Sequence, residues 1–192
     1  ASINEEIVHG IPSRKRVLKD GDVFSLDVGC TLNGMVADAA LTVAVGNVDE
    51  DVKQLLIDTE KSLFLGIEAA IVGNRVHDIG AAIEKFANTK GYGIVRDYGG
   101  HGVGHRLHEE PHIPNHGRGG TGPRIKAGHC FAIEPMLNLG TDDVTVLADQ
   151  WTVITADRKP SAHFEHSIAI TEEGPYILTL LEDAPQPYIS SF

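Results

Sequence analysis

The amino-acid sequence predicts one domain of mixed α and β structure, built around a largely antiparallel sheet. Two observations lead to this class: β-rich segments stand early and late in the chain, and two amphipathic helical patterns lie between them. No short repeat or linker marks a second domain. Residues 1–192 are therefore taken as one domain, which is long enough to bury a real core.

The first β-rich segments predict a hairpin. Residues 23–29 and 36–45 have strand composition, and Asn33-Gly34 between them is a dipeptide typical of a hairpin turn.

Two helices are predicted after the hairpin. The first begins near Asn47, carries three acidic residues in its opening turn, where the helix dipole favours negative charge, and ends at Gly73-Asn74. The second spans about 77–90 and ends at Gly91. Their apolar stripes follow a helical period: Val52, Leu55, Leu56, Leu63, Ile67 and Ala70 in the first, and Ile79, Ile83, Phe86 and Ala87 in the second.

Three later segments are rich in residues that favour β-strands, and turns with Gly and Asp separate them. These segments are 129–137, 151–155 and 163–171. They complete the predicted sheet.

The run from 100 to 116 holds five of the ten histidines, several of them four residues apart. This spacing invites a helical zinc site, but glycines in the front half and two prolines in the back half disfavour a helix, and no HExxH is present. The run is predicted to be a loop or an irregular strand.

Composition excludes several classes of protein. The formal net charge of −11 comes with no basic stripe, so nucleic acid is not an expected ligand. Cys30 and Cys130 are the only cysteines, which fits a reducing compartment. No signal peptide is expected, and no apolar run in the sequence approaches the roughly 20 residues that span a bilayer. We expect a cytoplasmic protein that does not enter membranes.

Four acidic residues stand inside apolar strand segments, where carboxylates are disfavoured: Asp27, Asp38, Glu134 and Glu165. Each by itself could be a solvated strand position. If the strands are neighbours, however, the four charges would repel severely unless cations lie between them. An oxygen-rich cage with one imidazole suits Mn, Fe, Co or Zn, and two ions sharing carboxylates make a hydrolytic centre. His101 is the best candidate imidazole, because the glycines around it allow a close backbone approach.

Six motifs, in order along nearly the whole chain, resemble those of type I methionine aminopeptidases. They are VHGIP (8–12), Asp27 with Asp38 eleven residues later, GHGVG (100–104), LHEEP (107–111), AIEPM (132–136) and FEHS (164–167). The resemblance implies the α+β pita-bread (creatinase/aminopeptidase) fold, with a curved, mostly antiparallel sheet and helices on its outer face. The short spacing between His101 and Glu134 leaves no room for the insertion of type II enzymes.

The resemblance also implies a metal site of two divalent ions (Co, Mn, Fe(II) or Zn). Asp27 would bind one ion only and lie near the substrate α-amine, while His101 and Glu134 would bind the other. Asp38 and Glu165 would bridge the two ions.

Catalytic and substrate-binding roles follow from the same resemblance. A hydroxide bridging the metals would attack the first peptide bond, with Glu134 carrying the proton to the leaving amine. His108 would lie near the scissile peptide, and His9 would hold the substrate and stabilise the tetrahedral intermediate. Leu107 and Trp151 match two walls of the methionine pocket, and the alternative for Trp151 is a place in the core.

The resemblance assigns no role to four other histidines. His105, His112 and His116 match no functional position and are expected at the surface or behind the site. His163 shares a strand face with Glu165 and either touches the site or fills space.

The beginning of the chain departs from the family pattern. It lacks the upstream residues that give family members further helices and part of the methionine pocket, so we expect a truncated form with one apolar area left bare. The expected partners are N-termini of newly made polypeptides, with the ribosome as a candidate location, and the expected state is a monomer. Two alternatives stay open: a non-catalytic binding module on the same fold, and a dinuclear peptidase specific for proline.

Overall fold

Over residues 1–180 the protein forms one eight-stranded sheet, two three-stranded sheets and two helices. The computed structural model describes residues 1–180. In chain order the elements are β1 (Ser2–Ile3), β2 (Glu6–Val8), β3 (Val23–Leu32), β4 (Met35–Ala44), α1 (Glu50–Ala69), α2 (Val76–Lys90), β5 (Gly93–Ile94), β6 (Gly100–Gly102), β7 (Glu109–Ile113), β8 (Cys130–Ile133), β9 (Met136–Asn138), β10 (Val144–Val146), β11 (Val153–Thr155), β12 (Ser161–His163), β13 (Glu165–Thr171) and β14 (Gly174–Ile177).

The large sheet has the strand order β1-β3-β4-β13-β8-β6-β7, and β14 also pairs with β13. Its pairs of strands are antiparallel, as the sequence predicts. The predicted hairpin is the pair β3–β4, and both turn residues have positive φ, 52° at Asn33 and 81° at Gly34. This left-handed backbone matches the twist of the strands and suits Asn-Gly. The two small sheets have the orders β10-β11-β2 and β12-β9-β5.

The core lies between the two helices and the large sheet. The predicted stripe of α1 is buried throughout, and so is that of α2 except for the half-buried Phe86. These side chains pack against Phe131 and Ile133 of β8 and Ile168 and Ile170 of β13. Within residues 1–180, neither helix is long and apolar enough to cross a membrane.

The bounds of α1 differ from the prediction at both ends. The helix begins at Glu50, three residues after Asn47, whose backbone N–H donates to the Asp20 carboxylate and so belongs to the preceding turn. It ends at Ala69 rather than at Gly73-Asn74, and the Asn74 side-chain amide donates to the Ala69 carbonyl. The predicted stop residue therefore caps the helix from outside.

Two predicted strands are each divided between two sheets. Segment 129–137 breaks at Glu134-Pro135, so β8 joins the large sheet and β9 a small one. Proline has no N–H for a ladder, which explains the break. Segment 163–171 divides at Phe164 in the same way, between β12 and β13. Both breaks lie beside predicted site residues.

Apolar side chains remain uncovered on the outer face of the β3–β4 hairpin. Leu26 is 39% exposed and Val28 61% exposed. Beside them lies a cavity of about 480 Å³ that also reaches Leu63 of α1 and Phe164. The sequence predicts one bare apolar area, and the exposure of these side chains is consistent with that prediction.

Candidate active site

The pairing of the strands places the five predicted ligands on one face of the large sheet. Asp27 of β3 pairs with Ala40 of β4, and Ala40 pairs with Glu165 of β13. Directly paired residues share a face, so these two acids point to the same side. Asp38 joins them because it lies two residues from Ala40 on the same strand.

The same rule brings His101 and Glu134 to that face. Ser167, two residues after Glu165, pairs with Ala132 of β8, which pairs in turn with His101 of β6. Glu134 follows Ala132 by two residues and continues the same side. Five side chains from separate parts of the chain therefore converge.

They converge on a cavity of about 190 Å³. It is lined by Val8, His9, Asp27, Asp38, Tyr98, Gly99, His101, His108, Glu134, Trp151 and Glu165.

Three of the predicted ligands form a compact buried group. Ligand atoms of Asp38, His101 and Glu165 all lie within 4.8 Å of one another. Nε2 of His101 is 3.9 Å from Oδ2 of Asp38 and 3.7 Å from Oε1 of Glu134. Its Nδ1 lies 2.9 Å from the Gly102 carbonyl oxygen, which favours a proton on Nδ1 and leaves the lone pair of Nε2 facing the acids. Asp27 is more exposed than the others and stands at the edge of the cavity.

The burial and the negative charges of this group favour a bound cation. Burial, and then the charges of neighbouring acids, raise the pKa values of both Asp38 and Glu165, most strongly for Glu165. Within residues 1–180, Oδ1 of Asp38 and Oε1 of Glu165 are buried without a hydrogen-bond partner. Buried oxygens of this kind are costly unless a cation or a donor reaches them. The donor set, oxygen-rich with one imidazole, fits divalent transition metals.

A hydroxyl group holds one of these acids in place. The Ser167 side chain donates to the Asp38 carbonyl oxygen at 2.8 Å and accepts from the Asp38 N–H at 2.9 Å. This link joins β4 to β13 beside the predicted ligands and fixes the backbone that carries Asp38.

Aromatic side chains shape the side of the cavity near His9. The rings of His9 and Trp151 are stacked at 4.4 Å, and Tyr98 meets His9 edge-on at 5.9 Å. His9 has a positive φ of 64°, a strained conformation for a residue with a side chain, which turns its ring over the site. A second cavity of about 440 Å³ adjoins this corner, reaching Ile11 and Pro12. Trp151 is 57% exposed, so it is not a core residue.

The remaining predicted residues lie at different distances from the site. The ring of His108 is 4.4 Å from that of His101 and is exposed at the cavity mouth. Leu107 is 39% exposed, lines neither of these two cavities and packs over Gly29. His105, His112 and His116 line neither cavity.

The structure adds one residue to the site and decides the place of another. Tyr98 did not stand out in the sequence, and its one signal is an aromatic ring three residues before His101. His163 is 1% exposed, and its Nε2 lies 3.3 Å from Oε2 of Glu134, so it touches the site.

Comparisons with known proteins show the family and the fold of the chain. The model of metallopeptidase family M24 matches residues 1–172. Methionine aminopeptidase 1 of Bacillus subtilis is 53% identical over 178 residues, which cover 93% of this chain and 71% of that protein. The crystal structure of methionine aminopeptidase from Thermotoga maritima superposes with a TM-score of 0.92 at 45% identity, over 94% of this chain and 72% of that one. Prolidase from Pyrococcus furiosus is more distant, with a TM-score of 0.73 at 25% identity, over 94% of this chain and 48% of that one.

Proposed function

The chain belongs to metallopeptidase family M24 and has its pita-bread fold, and we propose that it is a metal-dependent aminopeptidase that removes N-terminal methionine from polypeptides. The observation that carries the proposal is the convergence of four carboxylates and one imidazole on a cavity that His9 and His108 border. The similarity to methionine aminopeptidases supports the same activity.

Membership of the family implies that divalent metal binds. We assign two ions to the five converging side chains. Asp38 and Glu165 would contribute to both ion sites, Asp27 would contribute to one alone, and His101 and Glu134 would contribute to the other. Mn, Co, Fe(II) and Zn all suit this donor set.

When bound, the ions supply a water molecule that is nucleophilic at neutral pH and polarise the peptide carbonyl. Proton transfer, stabilisation of the transition state and binding of the substrate amine fall to side chains of the protein. The Glu134 carboxylate accepts a proton and passes it to the leaving amine. His108 and His9, at the edge of the cavity, donate hydrogen bonds to the oxygen that gains charge in the transition state. The Asp27 carboxylate attracts the substrate α-amine, which restricts cleavage to chain ends.

The methionine side chain fits best against the stacked rings of His9 and Trp151. The adjoining cavity of about 440 Å³ offers further apolar contact at Val8, Ile11 and Pro12. A pocket of this kind selects by size and shape and discriminates only modestly between similar side chains. Leu107, which lies outside both cavities, would reach the substrate only if its loop moved.

Newly made polypeptides in the cytoplasm, at or near the ribosome, are the substrates that this activity implies. We propose that the chain acts on them as a monomer.

Release of methionine from the peptide Met-Gly-Met tests the proposal. After removal of metal with EDTA we expect no release, and added Mn, Co, Fe(II) or Zn should restore it. Glu134→Ala should abolish release, because it removes a ligand and the proton carrier together. Glu110→Ala is the matched control, since Glu110 is an exposed acid outside the cavity and should keep the parent rate.

Other outcomes would favour the alternatives. Release that survives EDTA, or an active Glu134→Ala chain, would contradict the proposal. Tight metal binding without turnover would favour a binding module. Faster cleavage of Ala-Pro than of Met-Gly-Met would favour a proline-specific peptidase, the activity that the name of the more distant prolidase states.

A further inference from the structure

A buried imidazole outside the five-ligand set stands directly beside the metal site. His163 is 1% exposed, and its Nε2 lies 3.3 Å from Oε2 of Glu134. The two atoms are close enough for a hydrogen bond but are not aligned for one, and Nε2 has no other hydrogen-bond partner within residues 1–180. A buried ring nitrogen without a partner is unfavourable, so this one calls for an explanation.

The backbone fixes the place of His163. In the pair β9–β12, His163 lies opposite Met136, so the chain that leads back from Met136 to Glu134 passes next to its ring. The hydroxyl of Thr42 accepts from the His163 N–H at 2.9 Å and donates to its carbonyl oxygen at 2.7 Å. Ser25 in turn contacts the Thr42 hydroxyl at 2.8 Å. Such a double link to β4 shows that His163 is held, not loosely packed.

The two oxygens of Glu134 face two different imidazoles. Oε1 lies 3.7 Å from Nε2 of His101, on the side of the proposed ions, while Oε2 lies 3.3 Å from Nε2 of His163. Asn115 holds the backbone of the same residue, donating to the Glu134 carbonyl oxygen at 3.0 Å. The side chain of Glu134 still has rotational freedom about its own bonds, and a donor on Oε2 would remove it.

We propose that His163 is a positioning residue for Glu134. In the tautomer that carries its proton on Nε2, His163 donates to Oε2 after a small rotation of either side chain. The bond keeps Oε1 turned toward His101, where a metal ion would bind. The inference rests on the proposed function, because it assumes that Glu134 is both a ligand and the proton carrier.

Two substitutions separate this role from packing alone. His163→Leu removes the donor and keeps most of the volume, whereas His163→Gln keeps an N–H donor at a similar reach. His129→Leu is the matched control: His129 is partly buried and has a buried ring nitrogen without a partner, but its ring packs toward Phe131, a core residue. Circular dichroism melting shows whether each variant is folded.

The first readout is Mn²⁺ affinity, measured by titration calorimetry on metal-stripped protein. Residues that orient a metal ligand typically contribute about 10–100-fold to affinity or activity, so His163→Leu should weaken Mn²⁺ binding within that range. The second readout is the steady-state kinetics of methionine release. We expect kcat to fall while KM changes little, because Glu134 carries the proton and does not bind the methionine side chain. His163→Gln should restore most of both losses, and His129→Leu should leave both unchanged.

Three results would overturn the inference. One is a folded His163→Leu chain with the Mn²⁺ affinity and kcat of the parent. A second is equal loss in the Leu and Gln variants together with a lowered melting temperature, which would indicate packing alone. The third is the same loss in His129→Leu. If the parent chain binds Mn²⁺ but releases no methionine, the proposed function fails, and the comparison of Mn²⁺ affinities still tests His163.

Discussion

Replacement of Glu165 by glutamine should change stability in opposite directions with and without metal. The carboxylate is 2% exposed, and its pKa is raised by burial and by the charges of Glu134, Asp38 and Asp27. Glutamine keeps the shape but cannot ionise, and its neutral amide oxygen is a poor replacement for an anionic ligand. We therefore expect the metal-free variant to be at least as stable as the parent, and to lose most of the stabilisation by metal.

The structure sets the size of the first effect. Ligand atoms of Asp38 and Glu165 lie within 4.8 Å. At that separation, two full charges repel by about 3.5 kcal/mol at an effective dielectric constant of roughly 20. This figure is an upper limit, because protonation of either acid, which their raised pKa values favour, removes the repulsion. The gain on neutralising Glu165 should therefore lie between zero and about 3 kcal/mol.

The second effect follows from binding linkage. Free Mn²⁺ at about 100 times its dissociation constant stabilises a folded chain by about 2.7 kcal/mol. For a chain of this size, 1 kcal/mol shifts the melting temperature by roughly 2–4 °C, so the parent should gain about 5–11 °C. The variant should gain much less.

Differential scanning calorimetry of metal-stripped and Mn²⁺-titrated protein measures both effects. Glu110→Gln, which neutralises an exposed acid outside the cavity, is the control and should behave as the parent. A metal-free Glu165→Gln chain that melts well below the parent would refute the argument from repulsion. Equal Mn²⁺ shifts in the parent and the variant would show that Glu165 binds no metal.

Three further predictions concern the sheet that carries the site. In the metal-free chain, Asp38 and Glu165 should contribute a loss of stability as the pH rises above about 4, because their raised pKa values make these two acids bind more protons in the folded than in the unfolded state. Asp38→Asn should therefore gain stability relative to the parent as the pH rises, measured by urea unfolding at a series of pH values, and a difference that does not change with pH would count against this. Gly100→Ala should destabilise the chain by on the order of 1–3 kcal/mol in urea unfolding, because the added Cβ would collide with the Ala132 carbonyl oxygen. An unchanged free energy of unfolding would disprove the close approach of the two strands at Gly100. Ser167→Ala should lower the free energy of unfolding by about 1–3 kcal/mol in the same assay, since the backbone N–H and the carbonyl oxygen of Asp38 both lose a buried partner. A loss of only a few tenths of a kcal/mol would mean that the Ser167–Asp38 link is weak.

Much of the local structure could be predicted from neighbouring residues alone. The Asn33-Gly34 turn and the apolar stripes of both helices depend on spacing within one element, and the structure confirms them. The ends of α1 were less predictable, because Asn47 and Asn74 make contacts outside the helix that propensity does not describe.

The candidate site, too, could be predicted only in part from the sequence. The period of a strand shows that Asp27 shares a face with Ser25, but not that Asp27 is exposed while Asp38 and Glu165 are buried. The six motifs named the candidate residues through resemblance. Tyr98 lies outside those motifs, and only its place in the cavity reveals it.

The sequence by itself determined the class of fold, the hairpin, the two amphipathic helices and the unusual acids inside strand segments, because each of these is a property of residues close together in the chain. Only the tertiary structure decided which strands are neighbours, and with that the convergence of the acids, the contact of His163 with Glu134 and the exposure of Trp151. The physical reason is that β4 and β13, more than a hundred residues apart, meet through backbone hydrogen bonds and burial of the whole sheet. Such pairing is a global free-energy balance that no local pattern records.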